Sequence, residues 1–304
     1  MAIPTYQTCM LPLLDLCKDS QEHSMTELTD LLAKHFDLSE MERAELLPSG
    51  KQAIFNNRIG WARTYLKKAG LLSSPKRGVV SLTETGKKLL AENPERIDVK
   101  ILNKFESFLE FRKINARDLP MAPLDLELNQ LQTPQELLES SHLQLRAELA
   151  DDLLRRIKEA SPLFFERHVV NLLVAMGYGG SSKDAGRAVG RTGDGGIDGV
   201  IKEDRLGLDV IYIQAKRWTD GSVGRPEIQK FVGALAGHHA KKGVFITTSR
   251  FADNAREYAA TVEAKVILID GQELAQLMID FNVGAISSQT YELKKIDEDY
   301  FLND

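Results

Sequence analysis

The 304-residue chain predicts a multidomain α + α/β protein, and three features of its pattern lead there. Apolar residues recur at helical spacing through the first ninety positions, broken only by a short hairpin signal. An acid-rich stretch with scattered prolines follows from about Ala91 to Ala160. After residue 209 the rhythm becomes strand, helix, strand, helix, strand, which implies a mainly parallel sheet with helical crossovers. The length suits two domains with cores of their own, so the expected division is 1–91, a linker with helical pieces at 92–160, and 161–304.

The first helices are expected from Pro4 to Cys17 and from Ser24 to His35, where Ser24 and Glu27 have capping-box spacing. Ser39 with Glu42 opens a further short helix. The stretch KQAIFNNRIGWARTYLKKAGLL carries Ile54, Ile59, Ala62 and Leu66 on a mostly amphipathic helix, with Gly70 as its stop. A short strand, the turn Ser-Pro-Lys-Arg-Gly, a second strand over Val79–Thr83 and another helix come next. Helices followed by a basic-tipped hairpin form the pattern of a winged helix.

Charge is spread unevenly in this mildly acidic chain of net charge −5. Between Lys51 and Leu90 Glu84 is the only acid, among Lys51, Arg58, Arg63, Lys67, Lys68, Lys76, Arg77, Lys87 and Lys88. A basic strip on a helix and a turn is a phosphate-contact surface, so these residues from Lys51 to Arg77 are the expected DNA contacts. A solvated helix face is the plain alternative. The stretch 92–160 reads as a linker with helical pieces, the last from about Pro134 to Ala160, in which self-repelling Asp and Glu could keep the two ends apart.

In the C-terminal half Ser161-Pro162 is an N-cap and first-turn pair, opening a helix to Met176. GGIDGVI and DVIYIQAK are the first two strands and are expected to pair as a hairpin. Pro226–His239, Asp253–Glu263 and Gln272–Asp280 read as helices, alternating with the strands GVFITTS and KVILID. The result is a mixed sheet flanked by helices.

The chemistry gathers around VIYIQAKRW. Alternation sets Gln214 and Lys216 on one face, so a strand with an apolar start ends on an amide and an ammonium. Asp198 lies among glycines on the preceding strand and can meet them at one end of the sheet. A carboxylate, an amide oxygen and a main-chain carbonyl are the hard donors Mg²⁺ takes, so Asp198, Gln214 and Ala215 are the expected metal ligands. Lys216 would orient the attacking water and offset charge growing on a phosphorane.

GDGGIDG, QAKRW and GVFITTSRF, with GWARTYLKKAGLL further upstream, resemble the Mrr family of restriction endonucleases, in the branch of the PD-(D/E)xK nucleases with Gln in place of an acid. The resemblance spans the chain. It implies a restriction-endonuclease-like C-terminal fold and a Mg²⁺-dependent type IV enzyme that cuts DNA carrying methylated adenine or cytosine. It places the family's catalytic residues on Asp198, Gln214 and Lys216, with an accessory acid on Glu166. Glu166 also stands out independently, because it interrupts the apolar stripe Leu163, Val170, Leu173; the other reading of it is a salt bridge to an arginine. The neutral Gln214 leaves the site short of charge, which Glu166 or Asp194 could supply; Asp194 also reads as a turn-former.

Arg217 and Trp218 either face DNA or seal the sheet edge, and Thr247, Thr248 and Ser249 either bind phosphate or cap a helix. His168, His238 and His239 have no companions at metal-ligand spacing and read as structural or exposed. There is no G-x-x-x-x-G-K-[ST] and no G-x-S-x-G, which leaves out a P-loop motor and a seryl hydrolase. No apolar run reaches membrane-spanning length, and Cys9 and Cys17 read as a reduced core pair, so the expected setting is cytoplasmic. Cutting both strands would need two active sites, hence a homodimer or larger assembly. Two rival readings are a junction or repair nuclease of the same fold, and a DNA-binding regulator with a decayed nuclease domain.

Overall fold

The computed structural model describes residues 2–116, 131–179, 196–204, 206–218, 221–297 and 300, and divides into two compact units, Met1–Leu145 and Arg146–Asp304. Asp194 lies outside the described residues.

In the first unit, α1 (Tyr6–Leu16), α2 (Met25–His35), α3 (Glu40–Ala44) and α4 (Ile54–Lys68) precede a small sheet. Thr5 caps α1, and Ser24 caps α2 by accepting from Thr26 N. The reciprocal capping box is at Ser39 and Glu42, not at Ser24 and Glu27 as the spacing suggests. Strands β1 (His23–Ser24), β2 (Leu72–Ser73) and β3 (Val79–Leu82) are antiparallel in the order β1-β3-β2, with His23 opposite Val80 and Leu72 opposite Leu82. Gly70, just past α4, and Gly78, closing the hairpin turn, have φ of +72° and +69°. The core holds Met10, Leu13, Leu14, Leu28, Leu32, Phe55, Ile59 and Leu66, with Cys9 and Cys17 buried as free thiols. Burial pushes the Cys9 thiol up to about 12 and the Cys17 thiol up to about 11.

Helix α5 (Glu84–Ala91) is followed by α6 (Val99–Leu102), α7 (Glu106–Ala116) and α8 (Pro134–Glu159). The helical pieces expected in this stretch are present, but its beginning packs in a core and is not part of a linker. Ile97, Val99, Leu102 and Phe108 are buried in the first unit's core, and the division between the units falls inside α8. The apolar residues of this stretch outweigh its charge, because acids on the solvent side of a helix cost little while buried side chains stabilise.

The same packing corrects Arg58. Its Nε donates to Glu136 at 2.7 Å and its Nη1 to the Ile3 carbonyl at 2.6 Å, with Glu136 buried. Arg58 is a structural cation and does not face solvent as a DNA contact. Buried Asn57 joins it, donating to Gln135 at 2.8 Å and accepting from Thr133 at 2.6 Å.

The second unit is a four-stranded mixed sheet of β4 (Gly199–Lys202), β5 (Val210–Lys216), β7 (Lys242–Thr247) and β9 (Lys265–Ile269), in that order. β4 and β5 form the expected antiparallel hairpin, and β5, β7 and β9 are parallel. β6 (Ser222–Val223) and β8 (Arg250–Phe251) pair separately. Helices α9 (Pro162–Ala175), α10 (Arg225–Gly237), α11 (Asp253–Thr261) and α12 (Gly271–Asp280) complete the unit. Ile211 and Ile213 pack with Leu153, Phe165, Val169 and Leu274 in one core, while Tyr212 packs with Phe231, Phe245 and Phe251 in another. Both faces of the sheet are therefore covered, as parallel strands require. Among the described residues no helix is long and apolar enough to cross a membrane.

Glu136→Ala leaves Arg58 buried without its counter-ion and should destabilise the first unit by about 3 kcal/mol. Chemical unfolding followed by Trp61 fluorescence in a Trp218→Phe background tests this, and an unchanged midpoint would contradict it.

Candidate active site

The hairpin brings the expected residues together at one end of the sheet. Gly199 lies opposite Ile213, and Asp198, just before it, donates its backbone N–H to the Ile213 carbonyl at 2.9 Å. The Asp198 Oδ2 accepts from the Ala215 N–H at 2.7 Å. A strand residue turns its N–H and C=O toward the same neighbour, so the Ala215 carbonyl lies on the Asp198 side. Gly196, at φ +105°, lets the chain pass close to Gln214: a Cβ there would come within 3.2 Å of the Gln214 Nε2.

Gln214 is the most informative of these groups. Its Oε1 is buried and has no hydrogen-bond partner among the described residues. An unsatisfied buried acceptor costs about 1–3 kcal/mol, and an ion is one explanation for such an atom.

The acids are under electrostatic pressure. Burial raises the Asp198 carboxyl above its ordinary value, against the lowering effects of the Ala215 N–H and the Lys216 charge. Glu166, on α9, is also raised, first by burial and then by the negative charge of Asp198. Among the described residues no arginine pairs with Glu166, and the charge that acts on it is that of Asp198. Two carboxyls raised by burial, one of them also by the other's charge, stand with an amide oxygen that has no partner among the described residues, and such groups are donors a cation takes. Among the described residues no three His, Cys, Asp or Glu side chains form a metal cage. The donor set here is different in kind: Asp198, the Gln214 amide, the Ala215 carbonyl and Glu166 together fit a hard divalent ion.

Lys216 has a partner that the linear sequence did not reveal. Its ammonium donates to Glu227, on the first turn of α10, and Lys230 donates to the other Glu227 oxygen at 3.0 Å. These two hydrogen bonds, first that from Lys216, hold the Glu227 carboxyl below its ordinary value. In the sequence Glu227 looks like an acid in a helix's first turn, so nothing local marks it as the partner of a lysine on β5.

The strand end is secured further by threonines. Thr247 Oγ1 donates to the Lys216 carbonyl at 2.8 Å. Thr248 Oγ1 accepts from the Trp218 N–H at 2.9 Å and donates to the Trp218 carbonyl at 2.8 Å. Both side chains are fully buried, and α11 has Ala252 as its N-cap, so these threonines neither face phosphate nor cap that helix. Ser249 donates to the Gly221 carbonyl. Arg217 donates to the Lys158 carbonyl at 2.5 Å, and Trp218 packs in the core beside α10 and α11, so both act structurally. His168 is buried and stacks on Phe164, its ring held below its ordinary pKa by burial; His238 packs near Tyr212.

The expected DNA contacts of the first unit are placed differently from one another. Lys51, Lys67, Lys68, Lys76 and Arg77 are exposed; Lys76 pairs with Glu22 at 2.8 Å, and the Lys68 ammonium lies 5.1 Å from the centre of the Phe111 ring. Arg63 is half-buried, and Arg58 is turned inward as described above.

Residues 157–278 match the family model described as restriction endonuclease, Mrr_cat, and residues 6–92 match the Mrr N-terminal domain. A mixed sheet with helices on both faces, and an acid, an amide and a lysine at one end, thus defines a DNA-cleaving hydrolase of the restriction-endonuclease class. The chain is 41% identical over 99% of its length to the type IV methyl-directed restriction enzyme EcoKMrr of Escherichia coli (strain K12), all of which it covers. It belongs to the Mrr family of type IV restriction endonucleases. Two solved structures are more distantly similar. The DNA modification-dependent restriction endonuclease AspBHI shares 21% identity over 46% of this chain and 36% of its own, with a TM-score of 0.36. The MspJI restriction endonuclease in complex with a 27-mer oligonucleotide shares 22% over 44% and 31%, with a TM-score of 0.34.

Because burial raises the Asp198 carboxyl, its ionised form weakens the fold at neutral pH, and that penalty vanishes once the acid is protonated in both folded and unfolded states. Without metal, Asp198→Asn should therefore melt above the wild type at pH 7.5, with the gap closing as pH falls toward the ordinary carboxyl value of 3.8. Millimolar Mg²⁺ or Ca²⁺ should raise the melting temperature of the wild type and not of the variant. Equal melting throughout, in calorimetry, would contradict both statements.

Proposed function

We propose that this chain is a Mg²⁺-dependent endonuclease that hydrolyses the backbone of DNA carrying methylated bases. The observation that carries the reading is the meeting of the Asp198 carboxylate, the partnerless Gln214 oxygen and Lys216 at one end of β4 and β5. Family membership and likeness to a methyl-directed relative support the choice of substrate.

Asp198, Gln214, the Ala215 carbonyl and Glu166 would hold the divalent ion. When bound, the ion supplies positive charge against the scissile phosphate and makes water acidic enough to attack. The chain's own residues do the remaining work. The Ala215 N–H fixes the direction of the Asp198 carboxylate. Gln214 offers an oxygen already stripped of water, so little reorganisation is needed when a cation arrives. Glu166, whose burial favours the protonated acid, gains a reason to ionise next to a cation. Lys216, steadied by Glu227 and by the Thr247 latch on its carbonyl, points a fixed positive charge at the site and stabilises charge developing on phosphate.

The first unit is the DNA-holding part of this reading. Helices α1, α2 and α4 with the antiparallel β1-β3-β2 sheet make a winged helix, in which α4 takes the recognition position and the turn 74–78 is the wing. Lys51, Arg63, Lys67, Lys68, Lys76 and Arg77 lie on α4, the approach to it and that turn, where they would meet phosphates. Double-strand cleavage would bring two copies of the chain together.

Plasmid cleavage with and without methylation, in Mg²⁺ or EDTA, tests the reading: methylated plasmid is cut in Mg²⁺ and the other three combinations are not. Asp198→Asn and Lys216→Ala should bind methylated DNA with affinity near that of the wild type and cut at least about a hundredfold more slowly. Robust cutting by either variant removes that residue from the mechanism. Binding without cleavage by the wild type under any metal would support a regulator instead.

A further inference from the structure

The first unit contains a groove of about 320 Å³ between α2, α3 and α4. That is the lower end of the size range of small-molecule sites and ample for one edge of a nucleobase. Met25 supplies apolar surface, the buried Ile59 lies beneath the floor, and Asn56 and Arg63 stand on the same stretch of α4. Across from them the Asp30 carboxylate is paired with Arg43, which leaves Arg63 as the charge that no acid of the groove offsets among the described residues. The Arg63 Nε is buried and has no hydrogen-bond partner among the described residues. A desolvated donor without a partner is unfavourable alone, and a polar ligand atom in the groove would satisfy it.

Gly60 adds a second, independent indication. It lies in the interior of the 15-residue α4, where glycine is a poor choice for helix stability. Its φ is not in the left-handed region, and a Cβ added there would meet no atom within 4 Å, so neither the backbone nor internal packing calls for glycine. What a side chain at Gly60 would take away is the open space of the groove it lines.

We propose that this groove reads the modification itself: it receives the edge of a methylated base presented in the DNA major groove, with the methyl group against Met25. This inference rests on α4 being the helix that enters DNA. Base edges and the methyl of thymine face the major groove, and the methyl groups of N6-methyladenine and C5-methylcytosine project there as well. The Asn56 amide offers both a donor and an acceptor to such an edge, and Arg63 offers donors. Lys67, one helical turn beyond Arg63, would lie against phosphate and contribute affinity without discrimination.

The test uses the full chain in EDTA, with labelled duplexes that are unmethylated, N6-methylated on adenine or C5-methylated on cytosine, and measures affinity for each by fluorescence anisotropy. The wild type should prefer at least one methylated duplex; which of the two identifies the base. Gly60→Leu fills the groove and should cut that preference by about tenfold, and Asn56→Ala, at an exposed position, should also reduce it. Lys67→Ala should weaken binding to all three duplexes by a similar factor and leave the ratio intact. If folded Gly60→Leu and Asn56→Ala keep the wild-type ratio, the groove is not the reader, although DNA binding by α4 stands. If the wild type binds no duplex, the DNA-holding role of the first unit falls and this inference with it; binding without preference for either methylated duplex overturns the inference alone.

Discussion

The hydrogen bond from the Ala215 N–H to the Asp198 carboxylate is the contact on which the chemistry proposed for the second unit depends. It links the start of β4 to the end of β5 at the point where the hairpin ladder stops. Without it a half-buried carboxylate would have little reason to stay among apolar neighbours, since burial opposes its ionisation. With it, the acid is aimed and partly compensated, and the Gln214 oxygen stands at the same end of the sheet with no partner among the described residues. Ionising the acid there is costly, and in the proposed reading a cation would offset that cost.

The rest of the unit resists movement of that strand end. β5 lies between β4 and β7, its Ile211 and Ile213 sealed in one core and its Tyr212 in the other. Thr247 and Thr248, on and just after the neighbouring strand, bond to the main chain of Lys216 and Trp218. Glu227 comes from the opening turn of α10, the crossover that follows β5, and takes the free end of the lysine. Thus the main chain and the side chain of Lys216 are held by different elements, as a group that must present a fixed charge requires.

The first unit follows a different economy. Its basic residues divide by surroundings and not by position in the strip. Arg58 is drawn inward by buried Glu136 and two main-chain carbonyls, while Lys67 and Arg77 face water. The acids of the stretch after residue 91 do not hold the chain away either. Glu136 and Glu139 are spent on Arg58 and on Ser49, and the apolar residues among them complete the core.

Periodicity, caps and turn residues are local, and so the sequence alone determined most of the longer helices and the main strands, the hairpin of β4 and β5, the Ser161-Pro162 start of α9 and the side-by-side placement of Gln214 and Lys216. Asp198 was legible as well, because a carboxylate among glycines beside an amide-and-lysine strand is an unusual local pattern. Tertiary structure alone decided that Arg58 is structural, that Glu227 holds Lys216, that Thr247 and Thr248 secure a strand end, and that residues 97–108 help to build a core. Each of these depends on which distant group arrives at the other end of a side chain, and the free energy of a buried charge or hydroxyl is set by that arrival and not by its neighbours along the chain.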